Sequence, residues 1–171
     1  MIVLLAGLPG TGKSTLAHAL AERLNGAILS KDDIRHALFA PPDVEYSAAQ
    51  DDFVLQIMLQ AAVWILRKNP ARIVFLDGRT FSRRYQIELV LEAAHNLNQP
   101  WRILECVCSE ETARSRLETQ SASGAHPAGN RNFNLYLEVK ARLEPITSPK
   151  TVIDTDHPLD DCLQKALAVL R

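Results

Sequence analysis

Eight residues near the amino terminus have the types and spacing that bind phosphate. The segment Gly7–Ser14 reads Gly-Leu-Pro-Gly-Thr-Gly-Lys-Ser and matches the pattern G-x-x-x-x-G-K-[ST]. The apolar run Ile2–Ala6 precedes it, and a helical pattern follows it. Glycines let consecutive backbone N–H groups turn toward an anion, and the helix N-terminus adds further donors. The order strand, loop, helix therefore predicts a phosphate-binding loop rather than an ordinary glycine turn.

The positions of this loop have distinct expected roles in holding ATP and Mg²⁺. Lys13 is expected to reach the β- and γ-phosphates, and the Ser14 hydroxyl is expected to bind Mg²⁺. The loop backbone is expected to surround the phosphates. The residues expected to contact the nucleotide are Gly7, Leu8, Pro9, Gly10, Thr11, Gly12, Lys13, Ser14 and Thr15.

Two carboxylates follow predicted strands and are expected near the phosphate loop. Asp32 comes shortly after the apolar run Ala27–Leu29, and Asp77 comes directly after Arg72–Leu76. In open α/β sheets, ligands bind beyond the carboxyl ends of the strands. Asp77 is therefore expected to hold Mg²⁺, directly or through water, or to fix the Ser14 hydroxyl. The alternative is that Asp77 only caps the next helix.

Asp32 and Arg35 are the candidate residues for chemistry on an acceptor. Ser30 is expected to cap a short helix, and the spacing of three puts Asp32 and Arg35 on one face of it. A phosphotransferase needs an acid beside the acceptor hydroxyl to take its proton, which makes Asp32 the candidate base. Arg35 is expected to hold the acceptor or its phosphate. The neighbouring Asp33 is expected only to complement the helix dipole.

A segment rich in small residues is expected to form a lid over about residues 116–131. It contains Gly124 and Gly129, and Arg116 and Arg131 flank it. Such a segment suits a lid that closes over bound nucleotide, excludes water and brings arginines to the transferring phosphoryl group. A plain flexible loop is the alternative interpretation.

We expect two further segments to have structural rather than catalytic roles. The helix predicted over residues 48–68 has a broad apolar face, so core packing is expected to outweigh any site within it. Among Arg79, Arg83 and Arg84, at least two are expected to be solvated.

The elements that must position these residues alternate along the chain. Apolar runs predict five strands, and helical periodicity predicts the segments between them. The predicted strands are Ile2–Ala6, Ala27–Leu29, Arg72–Leu76, Trp101–Cys108 and Thr151–Ile153. This alternation predicts an α/β fold of the P-loop NTPase type: a doubly wound, five-stranded parallel sheet with helices on both faces and a small lid. We expect a single domain over residues 1–171.

Composition narrows the class and the compartment. The 171 residues are 47% hydrophobic and 23% charged, as in ordinary soluble domains. The apolar start of the chain is too short for a signal peptide or a membrane span, so we expect a cytoplasmic protein without a membrane partner. A net charge of −1 gives no basic field, which leaves a nucleic-acid partner open but does not favour it. A monomer or a homodimer is expected.

The cysteines are expected to be structural. Their spacing is not typical of a zinc site, and their odd number does not suggest a disulfide framework. We interpret them as small buried hydrophobic residues. They are Cys106, Cys108 and Cys162.

Together the motifs resemble the small P-loop kinases related to polynucleotide 5′-hydroxyl kinase, zeta toxins and chloramphenicol phosphotransferase. The resemblance extends over the whole chain and rests on the phosphate loop, the segment Ser30–Arg35, the triplet Leu76–Gly78 and the arginine-bearing lid region. It implies ATP- and Mg²⁺-dependent transfer to a hydroxyl, with Asp32 as the base and Arg35 near the acceptor.

The lid departs from the pattern of that group. A lid helix there often carries two arginines four residues apart, which act on the γ-phosphate. Here Arg116 takes the first position, but Gln120 takes the second. Arg131 is the candidate to substitute for the missing arginine.

The acceptor stays open, because members of the group act on sugars, nucleotides, nucleic-acid ends and antibiotics. The low net charge favours a hydroxyl on a small molecule. The alternatives are a polynucleotide 5′-hydroxyl kinase and a nucleotide-binding regulatory ATPase without an acceptor. A guanine-specific GTPase would usually carry Asn-Lys-x-Asp, which this sequence lacks.

Overall fold

Strands and helices alternate through the computed structural model, which describes residues 1–123 and 132–170. The strands are β1 (Ile2–Ala6), β2 (Ala27–Ser30), β3 (Val74–Asp77), β4 (Trp101–Val107) and β5 (Thr151–Asp154). The α-helices are α1 (Lys13–Leu24), α2 (Lys31–Leu38), α3 (Ala48–Lys68), α4 (Arg84–Asn96), α5 (Glu110–Ser123), α6 (Phe133–Ala141) and α7 (Leu159–Leu170). A 3₁₀ turn over Pro41–Asp43 precedes α3.

All the strands pair in parallel in one sheet of order β2-β3-β1-β4-β5. The central strand β1 lies between β3 and β4, and all of its residues are buried. Parallel strands covered on both faces need apolar side chains at every position, which explains the unbroken apolar run of β1. The doubly wound parallel sheet predicted from the sequence is confirmed.

Alternate residues of β1 face two different helical layers. Ile2, Leu4 and Ala6 pack in one core with residues of α3 and α4. Val3 and Leu5 pack in a second core with residues of α1 and α7. Because successive side chains of a strand point to opposite faces, one strand holds both layers together. The predicted helices on both faces are confirmed.

The carboxyl ends of β1, β2 and β3 lie side by side. The register pairs Ser30 with Asp77 at the ends of β2 and β3, while Leu4 of β1 pairs with Leu76. The loop after β1, the start of α2 and the end of β3 therefore meet at one edge of the sheet. This is the edge at which open α/β sheets bind ligands.

Two predicted strand boundaries differ from the structure. The strand expected from Arg72 begins at Val74, because Val74 pairs with Ile2 and the residues before it lie beyond the amino end of β1. The strand expected to end at Cys108 ends at Val107, whose partner Asp154 is the last residue of β5.

Burial of the cysteines is confirmed for Cys106 and Cys162 and is wrong for Cys108. Cys108 is half-buried because it lies past the end of β4, where its sulfur is 4.0 Å from the Gly10 carbonyl oxygen. Burial raises the pKa of the Cys106 thiol to about 12, so this thiol stays protonated at neutral pH.

No helix within the described ranges combines the length and apolarity needed to cross a membrane.

The close packing of the phosphate loop against β4 predicts different costs for two glycine substitutions. A Cβ atom at Gly7, where φ is +132°, would lie 2.2 Å from the Cys106 carbonyl oxygen. At Gly12 φ is +74°, but the nearest atom would lie at 3.5 Å. Gly12→Ala should therefore lose about 1 kcal/mol of unfolding free energy from backbone conformation alone. Gly7→Ala should lose about 1–3 kcal/mol more, because it must also displace the backbone of β4. Urea denaturation measures both, and equal losses would contradict this packing.

Candidate functional site

Two side chains of the loop Gly7–Ser14 stabilise its conformation by donating hydrogen bonds to the carbonyl oxygen of Leu8, which lies in the same loop. The Lys13 ammonium donates to this oxygen at 2.7 Å, and the Thr11 hydroxyl donates to it at 2.8 Å. Positive φ at Gly7, Gly10 and Gly12 gives the loop its curl. The helix α1 begins at Lys13, so the first N–H groups of α1 add to the donors at this end of the loop.

The elements around the loop fix its position. The Gly7 N–H donates to the Thr80 carbonyl oxygen at 3.2 Å, which ties the loop to the segment after β3. On the other side the hydroxyl of the buried Thr155, directly after β5, donates to the Thr11 carbonyl oxygen at 3.2 Å. The backbone of the loop is therefore set by the sheet on both sides before any ligand binds.

One cavity brings the loop together with Asp32 and Arg35, two of the predicted catalytic residues. Lys13 and Ser14 line it from the loop, and Asp32 and Arg35 line it from α2. Further lining comes from the phosphate loop, α2, α3 and the segment before it, the segment after β3, α4, α6 and the residue after α6. These residues are Pro9, Lys31, Tyr46, Asp51, Gly78, Arg79, Thr80, Phe81, Ser82, Gln86, Leu135, Val139 and Arg142.

The start of α2 presents a carboxylate and a guanidinium as a fixed pair. The Ser30 hydroxyl accepts from the Asp33 N–H at 3.3 Å, so the predicted cap is confirmed. Asp32 is 7% exposed and Arg35 is completely buried, with 3.2 Å between the Asp32 Oδ1 and Arg35 Nη1 atoms. The predicted shared face is thus confirmed, whereas Asp33 points to solvent and lies outside the cavity.

Asp51 joins this pair from the neighbouring helix α3. Its carboxylate accepts from the Lys31 ammonium at 2.9 Å and also from the Arg35 guanidinium. Burial acts to raise the pKa of Asp51, but Lys31, Arg35 and Arg79 together outweigh it and hold this pKa below its usual value. The ionised Asp51 is a second anion for two buried cations, Lys31 and Arg35, that Asp32 alone would otherwise have to compensate.

A second ion pair joins α3 to the segment after β3. The Arg79 side chain, 3% exposed, donates to the Asp52 carboxylate. The Tyr85 hydroxyl donates to the other oxygen of Asp52 at 2.7 Å. Of the three arginines expected to be mostly solvated, Arg84 is exposed and Arg83 is partly exposed, so Arg79 is the buried exception.

Asp77 has the surroundings expected of an indirect Mg²⁺ ligand. Its side chain is 2% exposed, and its Oδ1 atom has no hydrogen-bond partner among the described residues. A buried carboxylate oxygen without a donor is costly, and a magnesium-bound water would supply one. The alternative role as a helix cap is wrong, because α4 begins only at Arg84.

A second cavity lies on the opposite side of the phosphate loop. Gly10, Gly12 and Thr15 line it together with Arg116 and residues after β5. Arg116 Nη2 donates to the Thr155 carbonyl oxygen at 2.7 Å, and Nη1 donates to the Thr155 hydroxyl at 3.0 Å. Arg116 therefore lies beside the loop but does not line the cavity that contains Asp32. Arg131 and residues 124–131 of the expected lid lie outside the described residues.

Sequence reasoning missed the contribution of α3. The helix is mostly apolar as expected, yet Asp51 and Asp52 near its start carry the two ion pairs described above. The broad apolar face of the helix indicated core packing, and an acid in a first turn such as Asp51 usually complements the dipole, so their role was missed. The available signal was two adjacent acids in a helix otherwise dominated by apolar residues.

The arrangement defines a P-loop NTPase-type α/β protein with an acid and cations facing the phosphate loop. A family model described as an AAA domain matches residues 2–145, and the chain belongs to this family. A comparison with curated proteins gave no match.

Several solved structures share this fold over nearly the whole chain. A candidate kinase from Chloroflexus aurantiacus is 22% identical, with 99% of this chain and 98% of that chain covered and a TM-score of 0.78. The APS kinase of Mycobacterium tuberculosis, solved with AMPPNP and APS, is 17% identical, with 99% and 96% covered and a TM-score of 0.73. A gluconokinase from Sinorhizobium meliloti is 17% identical, with 98% and 90% covered and a TM-score of 0.69. The resemblance to small P-loop kinases is thereby confirmed at the level of the fold.

The lowered pKa of Asp51 predicts how acid weakens the site. A carboxylate whose folded pKa is depressed stabilises the fold above its unfolded pKa, and this stabilisation is lost as the pH falls through the folded value. Asp51→Asn should therefore lower the unfolding free energy by about 1–3 kcal/mol at pH 7, since Lys31 and Arg35 lose one of the two anionic partners that they share. The difference from wild type should shrink below about pH 4. Urea denaturation between pH 3 and pH 7 measures it, with the exposed Asp43→Asn as the control. A difference that does not change with pH would contradict the role of the ionised carboxylate.

Proposed function

We propose that this chain is an ATP- and Mg²⁺-dependent phosphotransferase that moves the γ-phosphoryl group of ATP to a hydroxyl of a small-molecule acceptor. The observation that supports this most is the shared cavity, in which Lys13 and Ser14 of the phosphate loop face Asp32 and Arg35. A phosphate cradle alone serves many functions. A buried acid beside it supplies what transfer to an alcohol additionally requires.

The phosphate loop separates two binding regions, which suits two substrates. The cavity with Asp32 is rich in charged groups and suits the acceptor, so we call it the acceptor cavity. The cavity with Thr15, Leu16 and Leu159 is partly apolar and suits the nucleoside of ATP. The γ-phosphoryl group would then lie at the boundary, within reach of the Lys13 side chain.

In the proposed reaction Asp32 accepts the proton of the acceptor hydroxyl. The acceptor oxygen forms a bond to the γ-phosphorus, the bond from this phosphorus to the β,γ-bridging oxygen breaks, and ADP leaves with the electron pair of that bond. Arg35 orients the Asp32 carboxylate, because the two side chains are 3.2 Å apart. Lys13 stabilises the charge on the transferring oxygens.

Ser14 and Asp77 are the residues proposed to hold Mg²⁺. Ser14 lines the acceptor cavity at the start of α1. The Oδ1 atom of Asp77, which has no hydrogen-bond partner in the described part of the chain, fits a contact to the ion through water. When bound, the ion neutralises phosphate charge and so assists departure of ADP.

Arg116 is proposed to act on the nucleotide from the side of the second cavity. Its guanidinium is 3.4 Å from the Gly10 carbonyl oxygen and is held by Thr155. A role at the γ-phosphate for Arg116 or Arg131 stays a prediction. Cytoplasmic location and a monomeric or homodimeric state likewise stay predictions.

The assignment of Asp32 as the base predicts a specific loss in the Asp32→Asn variant. Transfer should fall by roughly two to four orders of magnitude, since an amide cannot take the proton, while ATP affinity should change little. The matched control is Asp33→Asn, which removes an exposed carboxylate from the same helical turn. The assay measures acceptor-dependent ADP release against a panel of sugars, nucleosides, antibiotics and a 5′-hydroxyl oligonucleotide, and calorimetry measures ATP binding.

Three results would contradict this function. Unchanged turnover in Asp32→Asn would remove Asp32 from the mechanism. Labelling of the oligonucleotide alone would favour the polynucleotide kinase. ATP hydrolysis that responds to a protein partner and yields no phosphorylated small product would favour the regulatory ATPase.

A further inference from the structure

Arg79 places its cationic guanidinium at the acceptor cavity, and the proposed transfer does not use this charge. It lies directly after Gly78, whose φ is +84°, and two residues before the buried Phe81, whose φ is +55°. A bulky aromatic residue rarely adopts positive φ, and such backbone strain occurs most often at binding and catalytic sites. The segment is thus held in an unfavourable conformation that places a buried arginine beside the cavity.

The guanidinium of Arg79 is only partly satisfied within the described protein. Its Nη2 atom donates to Asp52, whereas Nε and Nη1 are buried and have no hydrogen-bond partner among the described residues. Leaving charged donors unpaired in a buried position is costly. A ligand that brings an anion to the cavity would offset this cost.

Asp52 and Tyr85 restrict the orientation of Arg79 from two helices. Asp52 of α3 accepts from Arg79 through Oδ1 and from the Tyr85 hydroxyl of α4 through Oδ2. The carboxylate is therefore fixed at both oxygens, and the guanidinium bound to it is held in one direction. Asp52 and Tyr85 are positioning residues, because neither lines the cavity.

The charge of the cavity lining is strongly positive. Among the described residues, five cationic side chains line it, Lys13, Lys31, Arg35, Arg79 and Arg142, against two carboxylates, Asp32 and Asp51. Lys13 is assigned to ATP, and Lys31 and Arg35 bind the two carboxylates. Arg79 is paired with Asp52 through Nη2 alone, so its Nε and Nη1 atoms are left, with Arg142, to face a further negative group.

We propose that the acceptor is an anionic alcohol, carrying a phosphate or a carboxylate, and that Arg79 binds this anionic group while Asp32 faces the hydroxyl. The inference rests on the proposed function, since it concerns the acceptor of the same reaction. Arg79 then selects charged acceptors over neutral ones of the same shape. Phosphate and carboxylate share the hydrogen-bonding geometry that a guanidinium recognises.

The first test measures anion binding with the phosphate loop already filled. Wild-type protein is saturated with AMPPNP and Mg²⁺, and calorimetry then follows titration with inorganic phosphate or, in a second arm, with acetate. We expect one further anion to bind per chain. Tighter binding of phosphate would indicate an acceptor that carries a phosphate, and tighter binding of acetate would indicate one that carries a carboxylate. Arg79→Met should weaken this binding about tenfold or more, and Asp52→Asn should weaken it less. AMPPNP affinity should stay within about twofold of wild type in both variants.

The matched control is Arg84→Met, which removes an exposed arginine five residues further along the chain and should leave anion binding unchanged. If circular dichroism shows that Arg79→Met does not fold, Arg79→Lys and Asp52→Asn carry the test. Arg79→Lys retains the charge and should keep part of the anion affinity of the wild type. A purely structural role of Arg79 would predict equal loss of anion and AMPPNP binding.

The second test compares acceptors in the ADP-release assay. Sugar phosphates and sugar acids should be phosphorylated with a kcat/KM at least about tenfold above that of the matching neutral sugars. In Arg79→Met this preference should disappear, mainly through a higher KM.

The outcomes separate this inference from the proposed function. Failure of wild-type protein to bind AMPPNP would overturn the proposed function itself. If the wild-type protein binds AMPPNP but neither phosphate nor acetate, only the inference of an anionic acceptor would be overturned. An anionic acceptor that reacts equally well in wild type and Arg79→Met would overturn it too.

Discussion

The molecule depends on the close contact between the phosphate loop and the carboxyl edge of its own sheet. Gly7 approaches β4 so tightly that a single added carbon would overlap the Cys106 carbonyl. Thr155 binds the same loop from β5, and Thr80 binds it from the segment after β3. These contacts fix the direction of the loop amides before a nucleotide arrives, so binding need not bear the cost of ordering them.

Buried charge around the cavity that contains Asp32 is balanced in part by carboxylates from a helix that otherwise packs in the core. Arg35 and Arg79 reach the cavity from two separate segments, and Asp51 and Asp52 of α3 bind one arginine each. Burying a guanidinium without such a partner would cost far more than an ordinary hydrogen bond returns. The apolar face of α3 thus anchors the helix, and its first turns set the electrostatics of the site.

The two sides of the phosphate loop differ in chemical character. The side with Asp32 presents mainly cations and acids, and the side with Thr15 and Leu159 presents a mixed, partly apolar surface. A phosphotransferase must bring a charged tail, a nucleoside and an alcohol together with water excluded. Distinct surfaces on either side of one loop are what the proposed phosphotransferase activity requires.

The amino-acid sequence by itself determined the fold class, the phosphate loop and the pairing of Asp32 with Arg35. Each of these follows from local patterns: apolar runs, glycine spacing, and two residues three apart on one helix. Only the tertiary structure decided that Arg79 is buried and that Asp51 and Asp52 pair with the buried arginines of the site. Those pairs join residues 16 and 27 positions apart through the packing of α3 on the sheet, and local spacing carries no record of such contacts.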